Sequence, residues 1–180
     1  SIFFSAAIFF RDWATATNWD LGYIPNTTDN VVIAASGNAA ILDTNHTTAN
    51  LTVDGGNTLN IGTYDLTSAT VTLIDGTITG TSGILTGTSY AVRKGTISAI
   101  LAGAVTLTKT TVDTVTLTRA NTYTGATNIS AGVLNIQNDT ALGTTAGGVS
   151  VTGGAALQVQ GDITVGNEAL TLNGDGVTSD

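Results

Sequence analysis

Several residue types are missing or rare in this 180-residue chain, and each absence excludes a class of structure. There is no cysteine, so a disulfide framework and a cysteine-ligated metal centre are excluded. Only five residues are Lys or Arg, too few to neutralise the phosphates of a nucleic acid. No apolar run reaches about 18 residues, so the sequence predicts no membrane-spanning helix.

Residues with catalytic or metal-binding potential are also few. The single histidine, His46, is predicted to lie in a polar loop without a second ligand, so we predict no metal site. A polysaccharide-cleaving site needs carboxylates that converge on one face. Asp54 and Asp75 are spaced so that they would align on neighbouring turns of a repeat, and so are Asp139 and Asp162. Because these are ordinary turn residues, we predict no enzyme activity and no cofactor. The candidate carboxylates are Asp43, Asp54, Asp65, Asp75, Asp113, Asp139 and Asp162.

Threonine and glycine dominate the composition, with 36 and 22 residues. Threonine is β-branched, which favours extended backbone over helix, and its hydroxyl tolerates exposure on the wet face of a sheet. No window of about ten residues shows a helical stripe of apolar residues. The net charge of −8 is spread along the chain, which favours solubility rather than a dedicated cation site. The composition therefore predicts an all-β fold.

Apolar residues recur with a fixed period. Six of them are separated by 19, 19, 20, 19 and 21 residues, and they are Leu59, Ile78, Ile97, Leu117, Ile136 and Leu157. Within each repeat apolar and polar residues alternate, as in Val71-Thr72-Leu73, which indicates short strands separated by corners. We expect a parallel β-helix with about 20 residues per rung from about Leu51 to Leu172, with Val, Ile, Leu and Ala facing inward. An antiparallel sandwich is the competing fold.

The corners of such a coil require backbone with positive φ, which glycine adopts without a steric penalty. Eighteen glycines are expected to supply these corners. They are Gly55, Gly56, Gly76, Gly80, Gly83, Gly87, Gly95, Gly103, Gly125, Gly132, Gly143, Gly147, Gly148, Gly153, Gly154, Gly161, Gly166 and Gly174.

The segment 115–143 shows the pattern most clearly. It reads VTLTRANTYTGATNISAGVLNIQNDTALG, with two β-type runs, Val115–Thr118 and Val133–Ile136, separated by small polar residues and glycines. This segment resembles the passenger-associated repeat of bacterial autotransporters, which belongs to parallel β-helices exported to the cell surface. The resemblance implies a right-handed β-helix from a bacterial surface or secreted protein, where the rod serves adhesion or acts as a stalk. The repeat is a structural element, so no binding residue carries over.

Residues 11–33 break the repeat and carry both tryptophans and the only proline. This stretch resembles the opening that precedes the first rung of many bacterial surface β-helices. The end of a solenoid exposes a cross-section of apolar ladder, and Trp13, Trp19 and Tyr23 are wide enough to cover it. Pro25 removes an N–H donor where strand pairing must stop. We therefore predict an aromatic N-terminal cap, with a sugar-stacking platform of tryptophans as the alternative.

Residues 1–10 hold all four phenylalanines of the chain. Their apolar side chains would point to both faces of an extended strand, so the segment requires burial on both sides. One hypothesis is that it completes the cap of its own rod. The other is that it adds as a strand to a neighbouring subunit, which would build a head-to-tail filament. The residues concerned are Ile2, Phe3, Phe4, Ile8, Phe9 and Phe10.

The sequence thus predicts three regions: an apolar strand at 1–10, a capping segment with the first rung at 11–50, and further rungs at 51–180. The chain stops in mid-repeat, so we expect it to be part of a longer precursor. The predicted function is a non-catalytic structural or adhesive module at the bacterial surface, with glycans or further copies of the chain as partners. The alternatives are a self-assembling filament subunit and a polysaccharide-binding or polysaccharide-degrading β-helix.

Overall fold

The computed structural model describes residues 1–3, 12–34 and 39–177. These residues form 16 β-strands and one short 3-10 helix, Ala16–Asn18. The strands are β1 Ile2–Phe3, β2 Asn30–Ile33, β3 Ala40–Ile41, β4 His46–Val53, β5 Asn57–Gly62, β6 Leu66–Leu73, β7 Gly76–Thr86, β8 Ser89–Val92, β9 Gly95–Ala102, β10 Leu107–Lys109, β11 Thr114–Leu117, β12 Thr127–Ile129, β13 Gly132–Ile136, β14 Val149–Val151, β15 Ala155–Val159 and β16 Leu170–Leu172.

Every described strand pair is parallel, and the chain coils into a β-solenoid of about seven turns with about 20 residues each. This arrangement confirms the all-β parallel prediction and excludes the antiparallel sandwich. The first face contains β1, β2, β4, β6, β8, β10, β12, β14 and β16, and the second contains β3, β5, β7, β9, β11, β13 and β15. A third face pairs the beginnings of β4 and β6 with the ends of β7 and β9.

The inner ladder of the second face follows the predicted period over most of its length. Leu59 is in register with each later anchor as far as Ile136. Ile136 then pairs with Val159, whereas Leu157 pairs with Leu134, so the placement of Leu157 in this ladder is wrong. The longer connection between β13 and β15 shifts the alignment by two residues, which keeps the side chains on the same face because strand periodicity is two.

The inner ladder of the first face begins nearer the N-terminus than Leu51, where the sequence predicted the first rung. Ile2 in β1 pairs with Val31 in β2, and Val31 pairs with Leu51 in β4. The sequence separation of Ile2 and Val31 is longer than one regular rung, so this first pairing is invisible to a search for the 20-residue period.

Seven of the 18 glycines do not have the positive φ that we predicted, and they are Gly80, Gly83, Gly87, Gly125, Gly147, Gly153 and Gly166. Steric contact explains several of them. A Cβ atom on Gly83 would lie 2.2 Å from the Tyr64 carbonyl oxygen, and one on Gly147 would lie 2.1 Å from the Gly125 carbonyl oxygen. At these corners glycine is needed because the backbones of successive rungs approach closely, not because φ is positive.

The inner positions are not all aliphatic, contrary to the prediction. Tyr90 and Tyr123 are buried, and their rings meet edge-to-face at 6.4 Å between centroids. Asn121 accepts from the Leu101 N–H at 2.8 Å and donates to the Ala141 carbonyl at 2.6 Å, so its amide links three rungs. Further buried polar residues at inner positions are Thr48, Asn57, Ser68, Lys109 and Thr127. Asn135 lies on the outer side of β13 and is buried there, where its Nδ2 donates to Gln158 Oε1 and Gln160 Oε1.

Arg119 connects three successive rungs along one corner. Its Nε donates to the Ser98 carbonyl at 3.2 Å, and its Nη2 donates to the Gly80 carbonyl at 3.0 Å and to the Thr81 carbonyl. The contact lies beside the irregular pairing between Thr79 and Ile84 of β7. A charged donor therefore reinforces the point where the strand register shifts.

Replacing Arg119 with alanine is expected to lower the free energy of unfolding by about 1 to 2 kcal/mol, because three carbonyl contacts lose a charged donor. Arg119→Lys is the matched control. An ammonium keeps the charge but has no planar fork to reach carbonyls of two rungs at once, so it should recover less than half of the loss. Urea unfolding measures both, and equal stability of the Ala variant and the wild type would contradict the role of Arg119.

Candidate functional site at the N-terminal end

Two buried indole rings lie at the N-terminal end of the solenoid. Trp13 is 0% exposed and Trp19 is 2% exposed. Their ring centroids are 4.8 Å apart in an edge-to-face arrangement, and Trp19 Nε1 donates to the Trp13 carbonyl at 2.8 Å. Neither ring presents a free face in this structure, so the alternative of a sugar-stacking platform fails on burial.

The chain around Trp13 occupies the free edge of β3, the first strand of the second face. Asp12 forms a parallel bridge with Ile41, and the Trp13 N–H donates to the Ile41 carbonyl at 2.7 Å. The buried Asn18 holds this segment, because its Nδ2 donates to the Asp12 carbonyl at 2.9 Å. Asn18 therefore fixes the backbone of this segment, and the neighbouring Trp19 packs against the ring of Trp13.

Asp20 occupies the outer edge of the first face. The Phe3 N–H donates to Asp20 Oδ1 at 3.0 Å, and the Asp20 N–H donates to the Phe3 carbonyl at 3.1 Å. These are the groups with which Phe3 would otherwise pair with an incoming strand. Nothing in the sequence pattern marked Asp20, because its contact with Phe3 joins residues far apart in the chain.

Tyr23 and Pro25 lie at the rim of this end. The Tyr23 hydroxyl donates to Asp29 Oδ1 at 2.9 Å, and Asp29 Oδ2 accepts from the Asn26 N–H at 2.9 Å. The hydrogen bond to Asp29 raises the pKa of Tyr23. Tyr23 is 40% exposed whereas Pro25 is buried, so Tyr23 contributes a rim contact rather than a buried ring.

The ring of His46 packs against that of Trp13. His46 begins strand β4, so its predicted place in a polar loop is wrong. Its ring centroid is 5.4 Å from that of Trp13, and its Nε2 is 3.6 Å from Asp43 Oδ1 and 3.1 Å from Thr44 Oγ1. Asp43 Oδ2 also accepts from the Ala14 N–H at 3.3 Å. Burial lowers the pKa of His46 more than the neighbouring Asp43 raises it.

Acidification is therefore expected to weaken this end of the molecule. The pKa of His46 is lower in the folded state than in the unfolded state, so protons bind the unfolded state better as pH falls through about 6.5. The melting temperature should drop between about pH 7 and pH 5, and His46→Gln should remove part of that drop. Identical pH profiles for the wild type and His46→Gln would contradict this prediction.

The other residues predicted for cap or assembly divide into two groups. Ile2 is buried and Phe3 is 44% exposed, and both pair with β2 of their own chain. Phe4, Ile8, Phe9 and Phe10 lie outside the described residues. The roles of this segment in capping and in assembly therefore stay predictions.

Three of the candidate carboxylates accept hydrogen bonds from backbone N–H groups, one within its own turn and two from the next rung. Asp54 Oδ1 accepts from the Gly55 N–H at 2.7 Å, Asp65 Oδ1 accepts from the Ile84 N–H at 2.9 Å, and Asp139 Oδ1 accepts from the Thr164 N–H at 2.8 Å. Asp75 pairs with Lys94 at 2.9 Å. Within residues 1–3, 12–34 and 39–177, no three acidic, histidine or cysteine side chains gather in a way that could hold a metal ion. The described part of the chain also contains no helix that could span a membrane.

The C-terminal end differs from the N-terminal end. Val159, Leu170 and Leu172 occupy inner positions of their ladders but are 52%, 49% and 64% exposed. Val159 and Leu170 line a cleft with Leu142 and Leu157. These inner-ladder residues are therefore more exposed than Trp13 and Trp19 at the other end of the described chain.

Comparison with known proteins found one similarity to report. No protein-family model matches the chain, so the passenger-associated repeat at 115–143 stays an unconfirmed prediction, and no solved structure matches. An 81-residue part of the chain is 40% identical to the adhesin BmaC autotransporter of Brucella suis biovar 1 (strain 1330). The match covers 45% of this chain and 2% of that much longer protein. Together with the parallel β-solenoid, this similarity is consistent with a segment of an autotransporter passenger.

Proposed function

We propose that this chain is a non-catalytic adhesive or structural segment of an extracellular β-helix on a bacterial cell surface. Two observations together support the proposal. The chain forms a continuous parallel β-solenoid, and 81 of its residues align at 40% identity with an autotransporter adhesin. In the proposal, residues 1–50 form the closed end of the segment and residues 51–180 form its rungs. Host or cell-surface glycans are its proposed partners.

The location is tested on the bacterium that produces the protein. An antibody raised against the purified chain should label intact cells, and brief protease treatment of those cells should remove the label. A periplasmic protein serves as the control, because it should be labelled only after the outer membrane is permeabilised. Labelling that requires permeabilisation for both proteins would contradict a surface location.

Adhesion is tested with beads coated with the chain. Coated beads should attach to cultured epithelial cells more often than beads carrying the heat-unfolded chain, and removing surface glycans enzymatically should reduce the difference. Equal attachment of both kinds of bead would contradict an adhesive role and leave the segment as a spacer.

The alternative proposal is a filament subunit, in which residues 1–10 join a neighbouring copy head to tail. The contacts of Phe3 oppose such pairing, because Asp20 already bonds to its edge N–H and carbonyl. Electron microscopy of the purified chain separates the two: isolated rods support the first function, and filaments that vanish on deletion of residues 1–10 support the alternative.

A further inference from the structure

The second face carries a regular array of small polar side chains on its outer surface. Two ranks of six residues run along the rod, one residue of each rank per rung. The parallel pairing aligns the whole first rank and the first three residues of the second. The last three residues of the second rank directly follow the ends of their strands. We call these twelve residues the threonine array. The first rank is Thr58, Thr77, Thr96, Thr116, Asn135 and Gln158, and the second is Asn60, Thr79, Ser98, Thr118, Gln137 and Gln160.

The array contains no charged and no aromatic residue. The eight members on its first four rungs are half-buried, so their hydroxyl and amide groups reach solvent from a closely packed surface. Charged groups lie at its margins: the Asp75–Lys94 pair on one corner and Arg119 on the other. Such a surface lacks the aromatic platform that a sugar ring would stack on and the cations that an anionic polymer would need.

The array is also rigid. Threonine has restricted χ1 freedom because it is β-branched. Thr79 Oγ1 and Thr118 Oγ1 donate to the Leu59 and Ile97 carbonyls of the preceding rungs, each at 3.5 Å. Further along, Asn135 Nδ2 donates to Gln158 Oε1 at 2.7 Å. These three side chains are therefore held in place before any ligand arrives, which lowers the side-chain entropy cost of binding.

The spacing of the array resembles that of ice. Neighbouring parallel strands lie about 4.8 Å apart, and residues two apart along a strand lie about 6.6 Å apart. Tetrahedral water with an O···O distance of about 2.75 Å repeats every ~4.5 Å in one direction and ~7.3 Å perpendicular to it. The two lattices differ by roughly a tenth in each direction, a gap that hydroxyl rotation and bridging water can absorb over a few rungs.

The outer surface of the first face carries a comparable rank with one apolar interruption. Thr52 and Thr72 are followed by Ala91, and the rank continues through Thr108 into Asn128 and Ser150. It provides an internal comparison of similar composition and the same strand spacing.

We propose that the threonine array is an ice-binding surface, which orders water on its two ranks and adsorbs to crystalline water. This function does not depend on the adhesive role, since an adhesin segment and a stalk could both carry it. The ligand is the ice lattice itself, so no cofactor or metal is involved.

The test is partition of the purified chain into slowly growing ice. Thr96→Tyr places a large ring in the centre of the array, and Thr72→Tyr places the same ring on the first face, where the residue is also half-buried. Wild type and Thr72→Tyr should be enriched in the ice, and Thr96→Tyr should be enriched at least about tenfold less, a loss of roughly 1.4 kcal/mol in adsorption. Circular dichroism and urea unfolding establish that both variants fold like the wild type.

Two results would overturn the proposal. One is a wild-type chain that stays in the liquid to the same extent as Thr96→Tyr. The other is an equal loss of enrichment in ice for both tyrosine variants, which would show that ice adsorption does not depend on the array. A parallel sedimentation with cellulose and chitin particles identifies a crystalline polysaccharide as the ligand if that binding, and not ice adsorption, is lost in Thr96→Tyr.

Discussion

Replacing Trp13 with alanine should lower the free energy of unfolding by about 4 kcal/mol, the largest single-residue effect we expect in this chain. Trp13 is fully buried, meets Trp19 edge-to-face at 4.8 Å and lies 5.4 Å from the His46 ring. Truncation removes these contacts and leaves a cavity beside the first rung in place of a large buried ring. Urea unfolding of the purified chain measures the loss.

Two variants show whether the effect comes from burial. Trp13→Phe keeps much of the ring volume and should cost about 1.5 kcal/mol. Tyr23→Ala should cost about 0.5 kcal/mol, because Tyr23 is 40% exposed and acts mainly through its hydrogen bond to Asp29. Hydrogen exchange on Trp13→Ala should show that β2–β5 lose protection before the C-terminal strands do. A loss below about 1 kcal/mol for Trp13→Ala would contradict a closing role for this residue.

Replacing Lys109 with alanine should cost about 3 kcal/mol. Lys109 is 0% exposed and lies in the inner ladder of the first face between Val92 and Ile129. Its Nζ donates to the Thr111 carbonyl and, at 3.1 Å, to the Ala131 carbonyl. The alanine variant therefore leaves both a cavity where the stem packed and two carbonyls without their charged donor.

Lys109→Met is the matched control, because methionine fills nearly the same volume without a charge. Burial disfavours the charged ammonium and lowers the pKa of Lys109. A residue that removes the charge but keeps the packing should therefore cost about 1 kcal/mol or less. Urea unfolding compares the two variants, and equal losses for Ala and Met would contradict packing as the main contribution and assign it to the hydrogen bonds of Nζ.

The regular part of the fold could be predicted from the sequence because every rung must bury its inner side chains in the same way. A rung with alternating apolar and polar residues buries its inner side chains only when a like rung lies above and below it, so the period appears directly in the chain. Leu59 and its successors as far as Ile136 show this. The register after Ile136 was not readable, because the connection to Val159 changes length and a two-residue shift leaves the apolar pattern unchanged.

The buried polar residues were harder to predict from the sequence than the apolar ladder. Lys109 follows Leu107 by two residues, so alternation alone places it on the inner face. Composition argued the other way, since lysine is seldom fully buried without partners. The partners that make burial tolerable are the carbonyls of Thr111 and Ala131, and only the three-dimensional arrangement brings the second of these to Nζ.

At the N-terminal end the sequence singled out the two tryptophans as bulky, apolar residues that break the repeat. It did not identify the residues that hold them. Asp20 reaches Phe3, Asp43 lies between Ala14 and His46, and Asn18 binds the Asp12 carbonyl. These contacts depend on how a non-repeating segment folds back over the first rung, and no periodic pattern encodes that path.

Periodicity, composition and the scarcity of charge were therefore enough to predict an all-β parallel coil with rungs of about 20 residues, because stacked rungs share one pattern of inward and outward side chains. Which residues pair across rungs, and which residues hold the tryptophans at the N-terminal end, followed from contacts between residues far apart in the chain. Arg119 touches carbonyls two rungs away, and Asp20 occupies the edge that Phe3 would otherwise present. Such contacts join residues of different rungs, so they can be identified only from the folded structure and not from the sequence pattern.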